Sequence, residues 1–309
     1  MRRRLDAALL LDKPVGLSSN AALQAAKRLY RAAKAGHAGT LDPLASGLLL
    51  VLFGDATKFA GPQLDAEKSY LATIRLGVST TTGDAEGEVV ERRTVSVTEP
   101  QIEAVLENFR GSIWQVPPMY SALKLDGRPL YLLAREGKTV ERRPRAIVIY
   151  ELEQSALRGD NLELRVRCSK GTYVRTLAQD IGTALGTGAH LAALRRTAAG
   201  RLSLEGATSL DALAAMPEGE RERRLLPLES LLSDLPRLNC GQEQETRLRN
   251  GQAIEIGPGR AGQCVLHGPG GLIGVGLADA AGTLRPVRLT APLEARRAQP
   301  AEIHKKTCE

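Results

Sequence analysis

Leu48 to Phe53 is an unbroken run of six apolar residues, entered directly from a stretch, Gly36 to Gly47, that holds three glycines and a proline. Such a run is a buried strand or a short buried helix, covered by other elements on both sides. The stretch before it shows no hydrophobic period and reads as an irregular loop. A loop tied to a buried element is held on a rigid scaffold, so its polar residues His37, Thr40 and Asp42 are fixed in space. Pro43 also biases Asp42 towards extended backbone. A fixed, partly desolvated carboxylate suits nucleophilic or general-base work, although an Asp in a glycine-rich loop is more often a turn or cap residue.

Other segments show clear periods. Ala8 to Leu11 reads as a strand that ends in the turn Lys13-Pro14-Val15-Gly16. Ser18, Ser19 and Asn20 offer N-caps for a helix carrying Leu23, Ala26, Tyr30 and Ala33, with Gly36 as its stop. Lys27, Arg28, Arg31 and Lys34 occupy its other face, which is either a solvated face or a phosphate-contacting one. Tyr70 to Leu76 alternates as a strand, and Leu162, Leu164, Val166 and Cys168 alternate more clearly with Glu163, Arg165 and Arg167. After Ser169-Lys170-Gly171-Thr172 comes a helix with Leu177, Ile181 and Leu185 on one face, stopped by Gly186. Residues 118–146 have the texture of an exposed basic insertion, with Arg128, Arg135, Lys138, Arg142, Arg143 and Arg145 beside Tyr120 and Tyr131. Pro217 to Pro236 reads as a helix plus linker. Short strands and Gly-rich turns then build a small, mostly β domain over 237–294, with a hairpin around Asp279 to Gly282 and a patternless, flexible tail over 295–309.

Composition narrows the function classes. The 309 residues suffice for one large domain with a small companion, or two medium ones, and 43% apolar content supplies a core. Lys and Arg exceed Asp and Glu by 42 to 35, a net charge of +7 that suits a polyanionic partner without naming it. No apolar run approaches the roughly 18 residues of a membrane span, and Ala7 to Leu11 is cut off too early for a secretory segment. A cytoplasmic protein is expected. Cys168, Cys240, Cys264 and Cys308 form no C-x-x-C pair and have no His at ligand spacing, so neither a disulfide framework nor a metal site is expected. With aromatics at 3%, each Tyr is either core filler or a surface for stacking a base.

Several ordered motifs carry a resemblance more specific than any one of them. Gly36-His37-Ala38-Gly39-Thr40-Leu41-Asp42-Pro43-Leu44-Ala45-Ser46-Gly47 resembles the signature loop of the TruB family, the bacterial tRNA pseudouridine-55 synthases. Leu11-Asp12-Lys13-Pro14 with Gly16 and Ser18-Ser19 resembles its opening motif, and Lys68-Ser69-Tyr70 its basic-x-Tyr motif. Met119 to Lys124, Cys168 to Thr176, Gly188-Ala189-His190 and Leu194-Arg195-Arg196 follow in the family's order, so the similarity covers about residues 8–205 and continues more weakly beyond.

The resemblance implies an α+β catalytic domain over 1–236, with a mainly antiparallel sheet and the basic thumb-like insertion at 118–146, followed by a PUA-like β-barrel. It implies isomerisation of one flipped-out T-loop uridine of tRNA, with no cofactor and no metal. Asp42 matches the nucleophile, attacking either the uracil ring or the ribose C1′. Arg175 matches the arginine that pairs with it, and Tyr70 the tyrosine that stacks on the base. Tyr173 and Leu194 match pocket-wall positions or are plain core. His37 matches the residue that braces the vacated stack, Lys13 a support of the loop, and Asp84 an acidic position that serves equally well as a turn residue. Arg128, Arg142, Arg143 and Arg145 are candidate phosphate contacts. Ser69 stands where the family prefers a larger basic residue, and Thr40 and Ser46 fall at variable small positions. A monomer with no obligate protein partner is expected. The rivals are a tRNA-folding chaperone without catalysis, a guide-RNA-dependent dyskerin-like synthase, whose kind lacks the basic insertion, and a hydrolase, for which no second carboxylate or His triad is in sight.

Overall fold

The computed structural model describes residues 2–121 and 123–292. Three strands organise its first part: β1 (Ala7–Lys13), β2 (Ala35–Ala38) and β3 (Ala45–Phe53). The apolar run is thus a strand, and its burial on both faces explains its composition. Leu49, Val51 and Phe53 pack with Leu9 and Leu11 under the helix α1 (Ser19–Leu29), against Ala22, Leu23, Ala26 and Tyr30. Leu48, Leu50 and Leu52 point the other way, into a core shared with Leu228, Leu231 and Leu232 and with Val265, Leu272 and Val275.

Two readings near this strand are corrected. Helix α1 is capped by Ser18 as expected, whose hydroxyl accepts from Ala21 N at 3.1 Å, but it ends at Leu29 and not near Gly36. The chain leaves it through Arg31 at a φ of 50°. Gly36 and His37 then belong to β2, which pairs antiparallel with β3 and sets His37 opposite Val51. Ala35, Gly36 and Ala38 carry little strand propensity, so the pairing with β3 decides their conformation.

The remaining strands in chain order are β4 (Lys68–Leu76), the ribbon β5 (Val78–Thr80) and β6 (Val89–Arg92), β7 (Gly111–Gln115), the ribbon β8 (Lys124–Leu125) and β9 (Arg128–Pro129), β10 (Arg145–Arg158), β11 (Asn161–Cys168), β12 (Ala189–Ala199), β13 (Leu202–Ser203), β14 (Thr208–Ser209) and β15 (Leu225–Pro227). The large sheet runs β14-β1-β3-β12-β4-β11-β10-β7, with β2 on β3, β13 on β12 and β15 on β1. Its pairings are antiparallel except β1 with β14 and β3 with β12. The alternation in β4 and β11 is borne out: Ala72, Ile74, Leu76, Leu162, Leu164, Val166 and Cys168 are buried. They pack under two helices, through Ile102 and Leu106 on one and Leu177, Ala178 and Ile181 on the other, the latter spanning Val174–Ala184. The segment Pro217 to Pro236 is more than a helix and linker, because β15 within it pairs with β1.

Five further strands, β16 (Arg237–Asn239), β17 (Ile254–Glu255), β18 (Gly262–Gly268), β19 (Gly271–Ala278) and β20 (Thr283–Leu289), form a second sheet in the order β16-β18-β19-β20-β17. The expected turn at Asp279 to Gly282 joins β19 to β20, and the whole fits a PUA-like barrel beside a mixed α+β unit. Lys58 Nζ donating to Leu289 O at 3.0 Å and Ala291 N donating to Asp55 at 2.6 Å tie the two sheets together. The insertion carries the β8–β9 ribbon and a short helix, Leu130–Arg135, anchored by buried Leu130 and Leu133. The tail expected over 295–309 lies outside the described residues.

The parallel seam between β3 and β12 is tight at Gly47, which has a φ of +98° and whose added Cβ would sit 2.3 Å from the Arg196 carbonyl oxygen. Gly47→Ala is therefore expected to destabilise the fold by about 3 kcal/mol in urea unfolding. A change below about 0.5 kcal/mol would mean that the seam is not rigid.

Candidate active site

Asp42 stands at the turn that feeds β3. Leu41 before it is buried, and its N–H and carbonyl are both bonded to the Ser19 hydroxyl, at 2.7 and 2.9 Å. After it, Ala45 N donates to Asp42 O at 3.0 Å and Gly16 N to Pro43 O at 2.8 Å. The backbone is pinned on both sides while the carboxylate stays open, with 49% of its side chain exposed.

The Arg175 guanidinium reaches it from the first turn of the Val174–Ala184 helix, with Nη2 at 2.5 Å from Asp42 Oδ2. Arg175 is buried and held from behind: Nη1 lies 3.0 Å from Asp84 Oδ2, and Nη2 also donates to Tyr120 O at 3.2 Å. Asp84 in turn accepts from the Thr82 hydroxyl at 2.5 Å and from Glu86 N at 3.1 Å. Asp84, 3% exposed, anchors the guanidinium, and the guanidinium aims Asp42. An arginine with two carboxylates in this arrangement orients the exposed one.

Asp42 and Arg175 line a cavity of about 360 Å³ together with Tyr70, Tyr173 and Leu194. Tyr70 lies on β4, opposite Val166 and Arg196 on the adjoining strands, and burial pushes its phenol's pKa up. Tyr173 is fixed through its backbone, which donates to Gln115 Oε1 at 2.8 Å and accepts from Gln115 Nε2 at 3.1 Å. Leu194 sits on β12 between Ala45 and Ala72. Lys13 is wholly buried, donating to Pro14 O at 2.7 Å and Leu17 O at 2.6 Å, which closes the turn packed against the Asp42 loop. Burial lowers its pKa to about 8, with the Asp42 charge opposing.

Among the other candidates, His37 is half-buried on β2 and is not one of the residues lining the cavity; burial, then the Arg196 charge, favour its neutral form. Arg128 is paired with Glu136 at 2.5 Å and Arg142 donates to Pro117 O at 3.0 Å, so both are occupied within the insertion. Arg143 and Arg145 are exposed, and Arg145 stands opposite Gln115. Sequence reasoning placed Arg196 in a motif but gave it no part in the site. It lines the cavity from below, its Nε donating to Leu48 O at 2.7 Å and Nη2 to Gly39 O at 2.9 Å. Gln115 was missed altogether, since nothing local marks a strand-end Gln as the brace of a distant helix.

Two structures of known proteins share the fold. A Cbf5-Nop10-Gar1 complex matches with a TM-score of 0.69 and 26% identity over 94% of this chain and 85% of that one. An archaeal box H/ACA sRNP Nop10-Cbf5 complex matches with a TM-score of 0.68 at 24% identity, over 96% and 89%. Fold and cleft together define a clamped carboxylate at the edge of a cavity with room for a group the size of a nucleobase. Residues 27–174 match the model of the TruB family pseudouridylate synthase N-terminal domain and residues 175–233 that of the tRNA pseudouridylate synthase B C-terminal domain, and tRNA pseudouridine synthase B of Burkholderia mallei is 58% identical over 255 residues, 82% of this chain and 84% of the relative. The chain belongs to the TruB family of pseudouridylate synthases. The namesake enzyme of Dechloromonas aromatica is 50% identical over 287 residues, 93% of this chain and 96% of the relative.

Lys13 gives the site a pH signature. Its pKa falls from 10.5 to about 8 on folding, so between those values the unfolded chain holds a proton that the folded one has lost. Stability from this group therefore rises with pH over that window and is flat below it. Relative to Lys13→Met, the native chain is expected to gain about 2 kcal/mol between roughly pH 7.5 and pH 9.5, read by urea unfolding. Parallel profiles for the two proteins would show that the ammonium stays charged.

Proposed function

We propose that this enzyme converts uridine 55 in the T-loop of tRNA to pseudouridine, with Asp42 as the nucleophile. The observation that carries the reading is the Arg175 to Asp42 contact of 2.5 Å at the edge of a cavity with room for a pyrimidine nucleoside. The target base is stacked in a folded T-loop, so it is first flipped out, at a cost of a few kcal/mol. Asp42 attacks the extruded nucleotide, at the uracil ring or at C1′. The C1′–N1 bond breaks, the base turns, C5 bonds to C1′, and the bond to Asp42 breaks to return the free carboxylate. C5 then loses a proton and N1 gains one, so atoms and electrons balance without a redox or group-transfer cofactor.

Arg175 keeps Asp42 aimed, and Asp84 keeps Arg175 in place. Tyr70 stacks on the base and handles a proton, Tyr173 and Leu194 form the pocket walls, Lys13 holds the loop, and His37 braces the vacated stack. Residues 1–236 are read as the catalytic domain and 237–294 as an RNA-binding companion. The curated relatives named tRNA pseudouridine synthase B, at 50% and 58% identity, support a stand-alone tRNA enzyme over a guide-dependent one. A clamped, solvent-facing carboxylate supports catalysis over chaperoning alone. We read the enzyme as a monomer of the cytoplasm; no helix among the described residues is long and apolar enough to cross a membrane.

Asp42→Asn is expected to lower tritium release from C5-labelled uridine in a tRNA transcript by about 1000-fold or more, with tRNA affinity changed less than about threefold. Near-normal release would remove Asp42 as nucleophile. Replacing Arg143 and Arg145 together with Ala is expected to weaken tRNA binding and to flatten its dependence on log salt by about 1 to 2. An unchanged slope would place the RNA backbone elsewhere.

A further inference from the structure

Arg196 is the largest of the fully buried side chains among the described residues, and it is a cation whose hydrogen bonds go to the neutral carbonyls of Leu48 and Gly39. Neighbouring arginines take the nearby carboxylates: Arg175 holds Asp42 and Asp84, and Arg195 holds Asp12. Burying a charge against carbonyls costs several kcal/mol, and a neutral donor on β12 would bridge Leu48 O and Gly39 O more cheaply. The position of Arg196 offers a reason. It is the direct cross-strand neighbour of Tyr70 on β4 and of Gly47 on β3, so one residue touches both the strand that carries the phenol and the strand that carries the Asp42 loop. Both Arg196 and Tyr70 line the catalytic cavity.

We propose that Arg196 is a positioning residue that readies the Tyr70 hydroxyl for proton transfer during the isomerisation. The inference rests on the reading of Tyr70 given above and deepens it. A guanidinium can only donate, so beside its cross-strand neighbour Tyr70 it offers a donor to the phenol oxygen and leaves the phenol's own proton to face the cavity. The same charge stabilises the phenolate. In the final step the phenol gives its proton, through water, to N1, and the phenolate so formed takes the proton from C5, so the phenol is restored and no proton is left over. Burial opposes this by favouring the neutral phenol; the Arg196 charge and hydrogen bond act against burial, while the Cys168 thiol and the Asp42 carboxylate act with it. Burial pushes the Cys168 thiol up to about 11, so it stays neutral near pH 7 and leaves Arg196 as the group that lowers the phenol's proton affinity.

The test is a double-mutant cycle on single-turnover tritium release, with tRNA affinity and thermal midpoints measured alongside. Arg196→Met is expected to slow release about 100-fold near pH 7, to move the alkaline limb of the pH profile upward, and to leave tRNA affinity within about threefold. Combined with Tyr70→Phe, it is expected to add less than about threefold to the loss caused by Tyr70→Phe alone. Arg196→Lys keeps the charge and is expected to lose less than about tenfold with the limb close to its native position; the same cycle is run on it if the Met variant does not fold. A loss from Arg196→Met or Arg196→Lys that compounds fully with Tyr70→Phe would overturn the inference and leave Tyr70's part intact. A Tyr70→Phe enzyme of normal rate would overturn the reading of Tyr70 itself, and the inference with it.

Discussion

The site depends on one guanidinium shared by two unequal carboxylates. Arg175 is buried, Asp84 beside it is buried too, and Asp42 is half exposed. The buried pair is costly to break, because removing either partner strands a charge in the interior. That fixes Arg175, and Arg175 fixes the direction of Asp42 while leaving one carboxylate edge open to the cavity. The pinning of the loop backbone through Ser19 and Gly16 serves the same end. A carboxylate held in this way needs little reorganisation to act as the proposed nucleophile.

The sheet order makes the constellation possible. Strand β12 lies between β3 and β4, parallel to one and antiparallel to the other, so the start of β3 and the start of β4 meet across it. Asp42 precedes β3, Tyr70 opens β4, and Arg196 lies on β12 between them. Four buried cations, Lys13, Lys68, Arg175 and Arg196, gather at this end of the sheet. Lys13 and Lys68 are tied to backbone carbonyls, as Arg196 is. Asp42 and Asp84 offset part of this charge, and the positive field that remains favours a polyanion at the mouth.

Much of this was legible from residue patterns. The alternation in β4 and β11, the apolar run of β3 and the turn at Asp279 to Gly282 all follow from burial on one face or two. The ordered motifs brought Asp42, Tyr70, Tyr173, Arg175 and Leu194 together, and they do line one cavity. What stayed hidden depends on pairing between distant segments. Strand β2 is made of small residues and exists because β3 offers it an edge, while β15 was taken for a linker because its partner β1 lies some 200 residues away in the chain. Arg196 stood in a motif with no role of its own, and only strand alternation sends Arg195 to Asp12 and Arg196 into the interior. Arg142 looked as free as Arg143, and only the folded insertion commits it to Pro117.

The central claim is that a tRNA uridine is isomerised at this clamped carboxylate. It is tested most directly by incubating an unmodified tRNA transcript with the purified protein and mapping pseudouridine along the whole RNA. One new pseudouridine, at position 55 of the T-loop and formed in the absence of any guide RNA, is the predicted result. A transcript left unmodified, or modified at other positions only, would contradict it.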